Sequence, residues 1–163
     1  MPIEVDNIKF YRPTNKEEGN DNYGGDIDLN SEIISDQLQN VFDNITDQER
    51  IEGDTEYRKV FLKNHNSGEG SSWLNVKGWI FSFTLSSDDE ISIALAVMSP
   101  PDTLYEAKNY TYYQPDTINH ANVLNLGTLA SNEMSAIWIK RVVNAESQKY
   151  YSNEFRLAFK SST

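Results

Sequence analysis

The side chains able to do chemistry are few and poorly spaced for it. Histidine occurs twice, at His65 and His120. Neither lies in an H-E-x-x-H helix or beside a G-x-S-x-G serine, the arrangements that set a zinc-bound water or a hydroxyl next to its base. Cysteine is absent, which removes thiolate nucleophiles, thiolate zinc sites and disulfides together. No G-x-x-x-x-G-K-[ST] or G-x-G-x-x-G run cradles a phosphate. Asp26-Ile27-Asp28-Leu29-Asn30 and Asp88-Asp89-Glu90 offer oxygen ligands, but neither has the D-x-D-x-D-G frame and later glutamate of an EF-hand loop. Both read as solvated acidic turns. The expectation is no catalytic residue, no metal site, no cofactor and no enzyme.

What remains is binding chemistry. Tyr110-Thr111-Tyr112-Tyr113, with Trp73 and Tyr105, is of the kind on which sugar-binding modules stack pyranose rings. The same residues would serve a protein interface or the core of a β-sandwich. In an extended Glu56-Tyr57-Arg58, Glu56 and Arg58 share one face and Tyr57 takes the other, and Lys140-Arg141 supply a second basic pair. Such cations either close salt bridges on the molecule's own surface or meet acidic groups of a partner. The candidate partner-binding residues are therefore Arg58, Lys140, Arg141, Tyr110, Tyr112 and Tyr113.

These side chains need elements to hold them. A chain of 163 residues suits one domain and buries roughly 70% of its unfolded surface without metal or disulfide help. Its 14 basic and 25 acidic residues give a net charge of −11, which argues against neutralising nucleic-acid phosphates or docking on an anionic membrane. No long apolar run is present, and the start MPIEVDNIKF lacks a secretion pattern, so a soluble protein made in a cytoplasm is expected. Residues 1–60 carry 15 acidic against 6 basic side chains. Within them the polar stretch from Asn15 to Asn30 reads as a surface loop or arm. The implied division is an N-terminal strand or arm with an acidic loop over 1–23, and a single domain over 24–163.

Leu38, Val41, Phe42 and Ile45 fall at the spacing of one helix face. Thr46-Asp47-Gln48-Glu49 then matches a capping box, with Gly53 as a stop. One or two short helices are expected near residues 35–53. The rest reads as strands. Thr55–His65 sets Tyr57 and Phe61 against Val60 and Leu62. Trp73–Leu85 is rich in aromatic and branched residues, and Ile91–Met98 is a short apolar run covered on both faces. Met134–Val143 alternates, as do Phe155, Leu157 and Phe159 against charged neighbours. Short strands between turn signals predict an all-β fold, two antiparallel sheets in an Ig-like or jelly-roll-like sandwich.

A long-range likeness accompanies this pattern. Gly24-Gly25-Asp26-Ile27, Phe42-Asp43-Asn44-Ile45-Thr46 and Gly53-Asp54-Thr55-Glu56-Tyr57-Arg58, whose strand closes in Lys63-Asn64, come first. Leu124-Asn125-Leu126-Gly127, Ala136-Ile137-Trp138-Ile139-Lys140-Arg141-Val142-Val143-Asn144-Ala145 and Asn153-Glu154-Phe155-Arg156-Leu157 follow in order. This series resembles virion structural proteins of tailed bacteriophages and prophages, of the head-decoration kind. It runs from about Gly24 to Phe159 and departs at the Tyr-rich stretch Pro100–Asn119. The resemblance implies a non-enzymatic protein on the outer capsid surface, made in the host cytoplasm, binding the major capsid protein and copies of itself as a trimer or lattice-dependent oligomer. It implies contact with neither nucleic acid nor membrane. Alternatives are a tail, neck or baseplate component, and a carbohydrate-binding adhesion module.

Overall fold

The computed structural model describes residues 3–37, 39–83, 89–114, 123–146 and 154–161. After a 3-10 turn at Val5–Asn7 come β1 (Ile8–Asn15), β2 (Gly24–Ile33), α1 (Asp47–Glu52), β3 (Asp54–Asn64), β4 (Trp73–Phe83) and β5 (Asp89–Leu95). The chain continues through α2 (Leu104–Ala107), β6 (Leu124–Leu129), β7 (Met134–Val143) and β8 (Phe155–Ser161). The strands form a five-stranded sheet ordered β2-β1-β3-β7-β5 and a three-stranded sheet ordered β6-β4-β8, all antiparallel. The all-β sandwich expected from strand alternation is the observed fold. From β3 onward each strand lies in the opposite sheet to the one before it. An Ig-like arrangement instead places successive strands such as F and G side by side, so the jelly-roll-like description is the nearer of the two.

Period-two alternation gives the five-stranded sheet two apolar faces. Val60 and Leu62 of β3, Ile93 of β5, and Ile137 and Ile139 of β7 point inward, against Val76, Ile80, Leu124, Leu126 and Leu129 of the smaller sheet. The opposite side chains of the same strands, Phe61, Ala94, Ala136 and Trp138, join Tyr11, Tyr23, Leu104 and Ala107 in a second buried cluster. Both faces of this sheet are therefore covered, one by the smaller sheet and one by a lid built from residues 96–113 and the turn before β2.

The N-terminal strand is β1, followed by a loop over 16–23, and it is an interior strand of the sandwich, paired with β2 on one side and β3 on the other. Two expectations change. The acidic stretch becomes strand from Gly24. The helix drawn through Leu38, Val41, Phe42 and Ile45 is absent at the described positions. Residues 41 and 42 form a bend and 43–46 take no regular structure, and Leu38 lies outside the described residues. Val41 and Phe42 are apolar because they pack on the inter-sheet core. The helix that forms, α1, is the capping-box one: the Thr46 hydroxyl accepts from the Glu49 amide, and the Glu49 carboxylate accepts from the Thr46 amide.

Candidate functional site

Glu56 and Arg141 face each other across β3 and β7. The Arg141 Nε donates to Glu56 Oε2 at 2.7 Å, and its Nη2 meets the same oxygen. Arg58, on the same face, donates through Nη2 to Glu18 Oε2 at 2.6 Å and Glu56 Oε1 at 3.1 Å. Asp43 stands 3.5 and 3.6 Å from the two guanidiniums, and both lie over the Phe42 ring, at 5.0 and 4.6 Å. Burial pushes the Glu56 carboxyl up, and Arg141 opposes the shift. The network closes one end of the inter-sheet core. Arg58 is only 4% exposed and Arg141 is engaged by Glu56, so these two expected partner-binding residues spend their charge inside the molecule.

Lys140 does not join them. As the neighbour of Arg141 on a strand it points to the other face, where its Nζ lies 5.6 Å from the Tyr112 ring and 6.0 Å from Tyr57. The expected basic pair is split by the sheet. Tyr112 packs edge-on to Tyr57 and donates its hydroxyl to the Ala107 carbonyl at 3.1 Å. Tyr110 donates to Asp102 Oδ2 at 2.7 Å. Burial raises both phenols far above their usual range. Tyr113 is half exposed, but its backbone bridges to Ile93 of the edge strand β5 in both directions. The Tyr-rich segment is thus the lid over the second core, not an open aromatic platform. Trp73 packs against the inter-sheet core, which leaves Tyr105 and Tyr113 as the exposed members of the expected sugar-stacking set.

Under the lid sits a pair that sequence reading missed. The Lys59 and Asp102 side chains are 0% and 2% exposed, with Nζ 2.7 Å from Oδ1. The Lys59 position is on the Tyr57/Phe61 face, so a lysine in an otherwise aromatic alternation was the available signal.

Among the described residues the acidic groups are already engaged. Glu49, Asp54 and Glu56 bring carboxylate oxygens within 4.8 Å of one another, but Glu49 caps α1 and Glu56 binds the arginines. Asp28 pairs with Lys16 at 2.6 Å, and Asp26 accepts from the Ile27 amide. Asp88 and His120 lie outside the described residues. A hollow of about 90 Å³ between Arg12, Lys16, Glu18 and Arg58 is well under the roughly 300 Å³ of a small-molecule site.

The remaining candidate is the outer face of the three-stranded sheet. Lys77 of β4 is in register with Lys160 of β8, and Trp79 with Ala158. The pairing then skips one residue, so that Ser82 meets Arg156. Strand alternation sets Phe81 on the same outward face as Lys77 and Trp79, where it is 55% exposed, and the bulge returns Phe83 to the inter-sheet core. The Lys160 Nζ lies 5.4 Å over the Trp79 ring. Two lysines directly opposite each other repel, and an exposed phenylalanine gains nothing from folding. The Trp79 ring offsets part of the lysine repulsion, while the outward Phe81 adds little to the stability of the isolated chain.

Comparison with protein-family models, curated proteins and solved structures finds no match to this chain.

That leaves geometry to assign the face. Aromatic side chains among cations form the core of many protein interfaces, where the rings supply area and arginine supplies directed hydrogen bonds. The face carries Lys77, Trp79, Phe81, Arg156 and Lys160, with Arg156 Nε 3.9 Å from Glu154 Oε1.

Proposed function

We propose that this protein is a non-enzymatic structural component of a tailed-phage virion, a decoration or cement protein on the outside of the head. The ordered motifs from Gly24 to Phe159 support the reading, and one observation carries it: the exposed aromatic and cationic face of the β6-β4-β8 sheet, with its in-register lysines. The partner is the major capsid protein, offering an acidic patch, and copies of the chain sit side by side on the lattice. Each contact can be modest, because a subunit that touches two capsomers gains avidity from its second contact. A net charge of −11 keeps the free subunit soluble in the host cytoplasm and off packaged DNA.

The test is add-back of purified protein to particles lacking it. Wild-type chain is expected to bind the heads and raise the temperature at which they release DNA. The pair Phe81→Ala and Lys160→Glu, which removes the outward ring and the cation over Trp79, is expected to lose at least tenfold in binding while keeping its own melting temperature. Equal binding by that pair overturns the face assignment, and binding of wild-type chain to no particle overturns the virion reading. Gold-labelled chain found on tails, necks or baseplates would move the protein to that part of the particle. The sugar-binding alternative would rest on Tyr105 and Tyr113, since the Tyr110 and Tyr112 hydroxyls bond within the molecule.

A further inference from the structure

The lid holds a reactive geometry that its packing role does not require. The Lys59 amine is walled by Phe61, 4.9 Å from Nζ to the ring centre, and by Trp138, at 5.7 Å. It donates to the carbonyls of Gly25 at 2.8 Å and Asp102 at 3.0 Å. Its third neighbour is Asp102 Oδ1, 2.7 Å away in a buried ion pair. The other oxygen, Oδ2, accepts two bonds, from the Val97 amide at 2.8 Å and the Tyr110 hydroxyl at 2.7 Å. Two donors on one carboxyl oxygen are what an oxyanion needs when a carbonyl carbon becomes tetrahedral.

Charge state favours the same chemistry. Burial lowers the Lys59 ammonium below its usual range, with Asp102 pulling the other way. Burial disfavours the charged form of the amine, and the 2.7 Å to Oδ1 is a short path for its proton. The amine and the carboxyl group lie in contact, held by fixed neighbours, and fixed proximity replaces most of the entropy cost of bringing two reactants together.

We propose that Lys59 and Asp102 condense to an intramolecular amide, tying β3 covalently to the turn that leads into α2. The proton moves from Nζ to Oδ1, and the nitrogen lone pair attacks Cγ. Oδ2 carries the negative charge under Val97 N–H and Tyr110 O–H. The Cγ–Oδ1 bond then breaks, and Oδ1, holding the first proton and taking a second from the nitrogen, leaves as water. One ammonium and one carboxylate become one amide and one water, with no oxidant, metal or cofactor. The product removes two buried charges, and its single N–H keeps one of the two carbonyl acceptors. Tyr110 is a catalytic residue here, since it touches the reacting carboxyl.

Mass spectrometry of the intact, folded chain tests this directly. The expected mass is one water below that of the sequence. Trypsin is expected to leave Lys59 uncut, with its peptide joined to the one that contains Asp102. Full mass in the native chain, with separate Lys59 and Asp102 peptides, overturns the proposal and leaves a buried ion pair. Lys59→Arg is expected to restore full mass. A water loss that persists in Lys59→Arg would be an aspartate closing on its own backbone, and it also overturns the proposal. The reading on the native chain needs no variant, so a substitution that prevents folding does not blunt it. Made by cell-free synthesis and sampled over time, Tyr110→Phe is expected to lose its water at least tenfold more slowly, and a rate equal to wild type would remove Tyr110 from the reaction.

Discussion

The Nε2 of His65 lies 2.8 Å from the Tyr11 hydroxyl, and the His65 backbone N–H donates to the Asn7 carbonyl. Burial holds the imidazole below its usual range, helped by Lys63 and Lys9 and opposed by Glu32. A depressed histidine means that the unfolded chain takes up a proton first as pH falls. Stability present above the usual imidazole range is then lost on descending through it toward the folded value. The melting temperature is expected to drop between about pH 7.5 and about pH 5.5, and His65→Gln is expected to flatten part of that drop. An unchanged slope in the variant would place the titration elsewhere. From sequence alone His65 was a lone histidine at a strand end, and its coupling to Tyr11 depends on β1 pairing with β3, which nothing local encodes. Lys59 was hidden for a related reason. A basic residue on a strand reads as exposed until the lid that covers it is known.

At the scale of elements, legibility followed amphipathicity. The strands β3, β4, β7 and β8 put distinct residues on their two faces, and period-two alternation located them within about two residues of their true ends. β2 escaped because Gly24–Ile33 is a polar edge strand, with few apolar side chains to alternate. β1 carries Pro13 and two cations, which masked an interior position. The Tyr-rich segment was ambiguous because a lid and a platform need the same aromatic residues, and only the fold says which way they face. The paired glycines at the start of β2 do have a local reason. Gly24 has φ of 109°, and a Cβ there would stand 2.9 Å from Cη2 of Trp138 and 3.1 Å from the Asp102 carbonyl oxygen. Gly24→Ala is expected to cost about 3 kcal/mol, from backbone strain and displacement of a buried ring. Gly19→Ala is the control: its φ of 76° is also left-handed, but nothing lies within 4 Å of its Cβ, so about 1 kcal/mol is expected. Urea melts of the two variants compare them, and equal losses would mean that Trp138 yields freely.

For the molecule as a whole the question is whether its two cores are one cooperative unit. The inter-sheet cluster and the lid cluster share strands: Val60 belongs to one and Phe61, the next residue, to the other. Ile137 and Ile139 alternate with Ala136 and Trp138 in the same way. A strand cannot leave one core while staying ordered in the other, because losing its ladder hydrogen bonds releases both rows of side chains. The zigzag of β3 to β8 between sheets adds that few contacts are local, which favours an all-or-none transition over stepwise opening. Phe61→Ala is expected to cost about 3 to 5 kcal/mol, and Val60→Ala about 1.5 to 3 kcal/mol. Both should shift a single transition rather than split it. Hydrogen exchange supplies the decisive comparison, between the Tyr113 amide, which bonds to Ile93 in the lid, and amides of β3 that bond to β7. Equal opening energies at the two places, falling together in either variant, are expected from shared strands. A Tyr113 amide that exchanges far faster and ignores Val60→Ala would instead make the lid a separate unit hinged on the β5 edge.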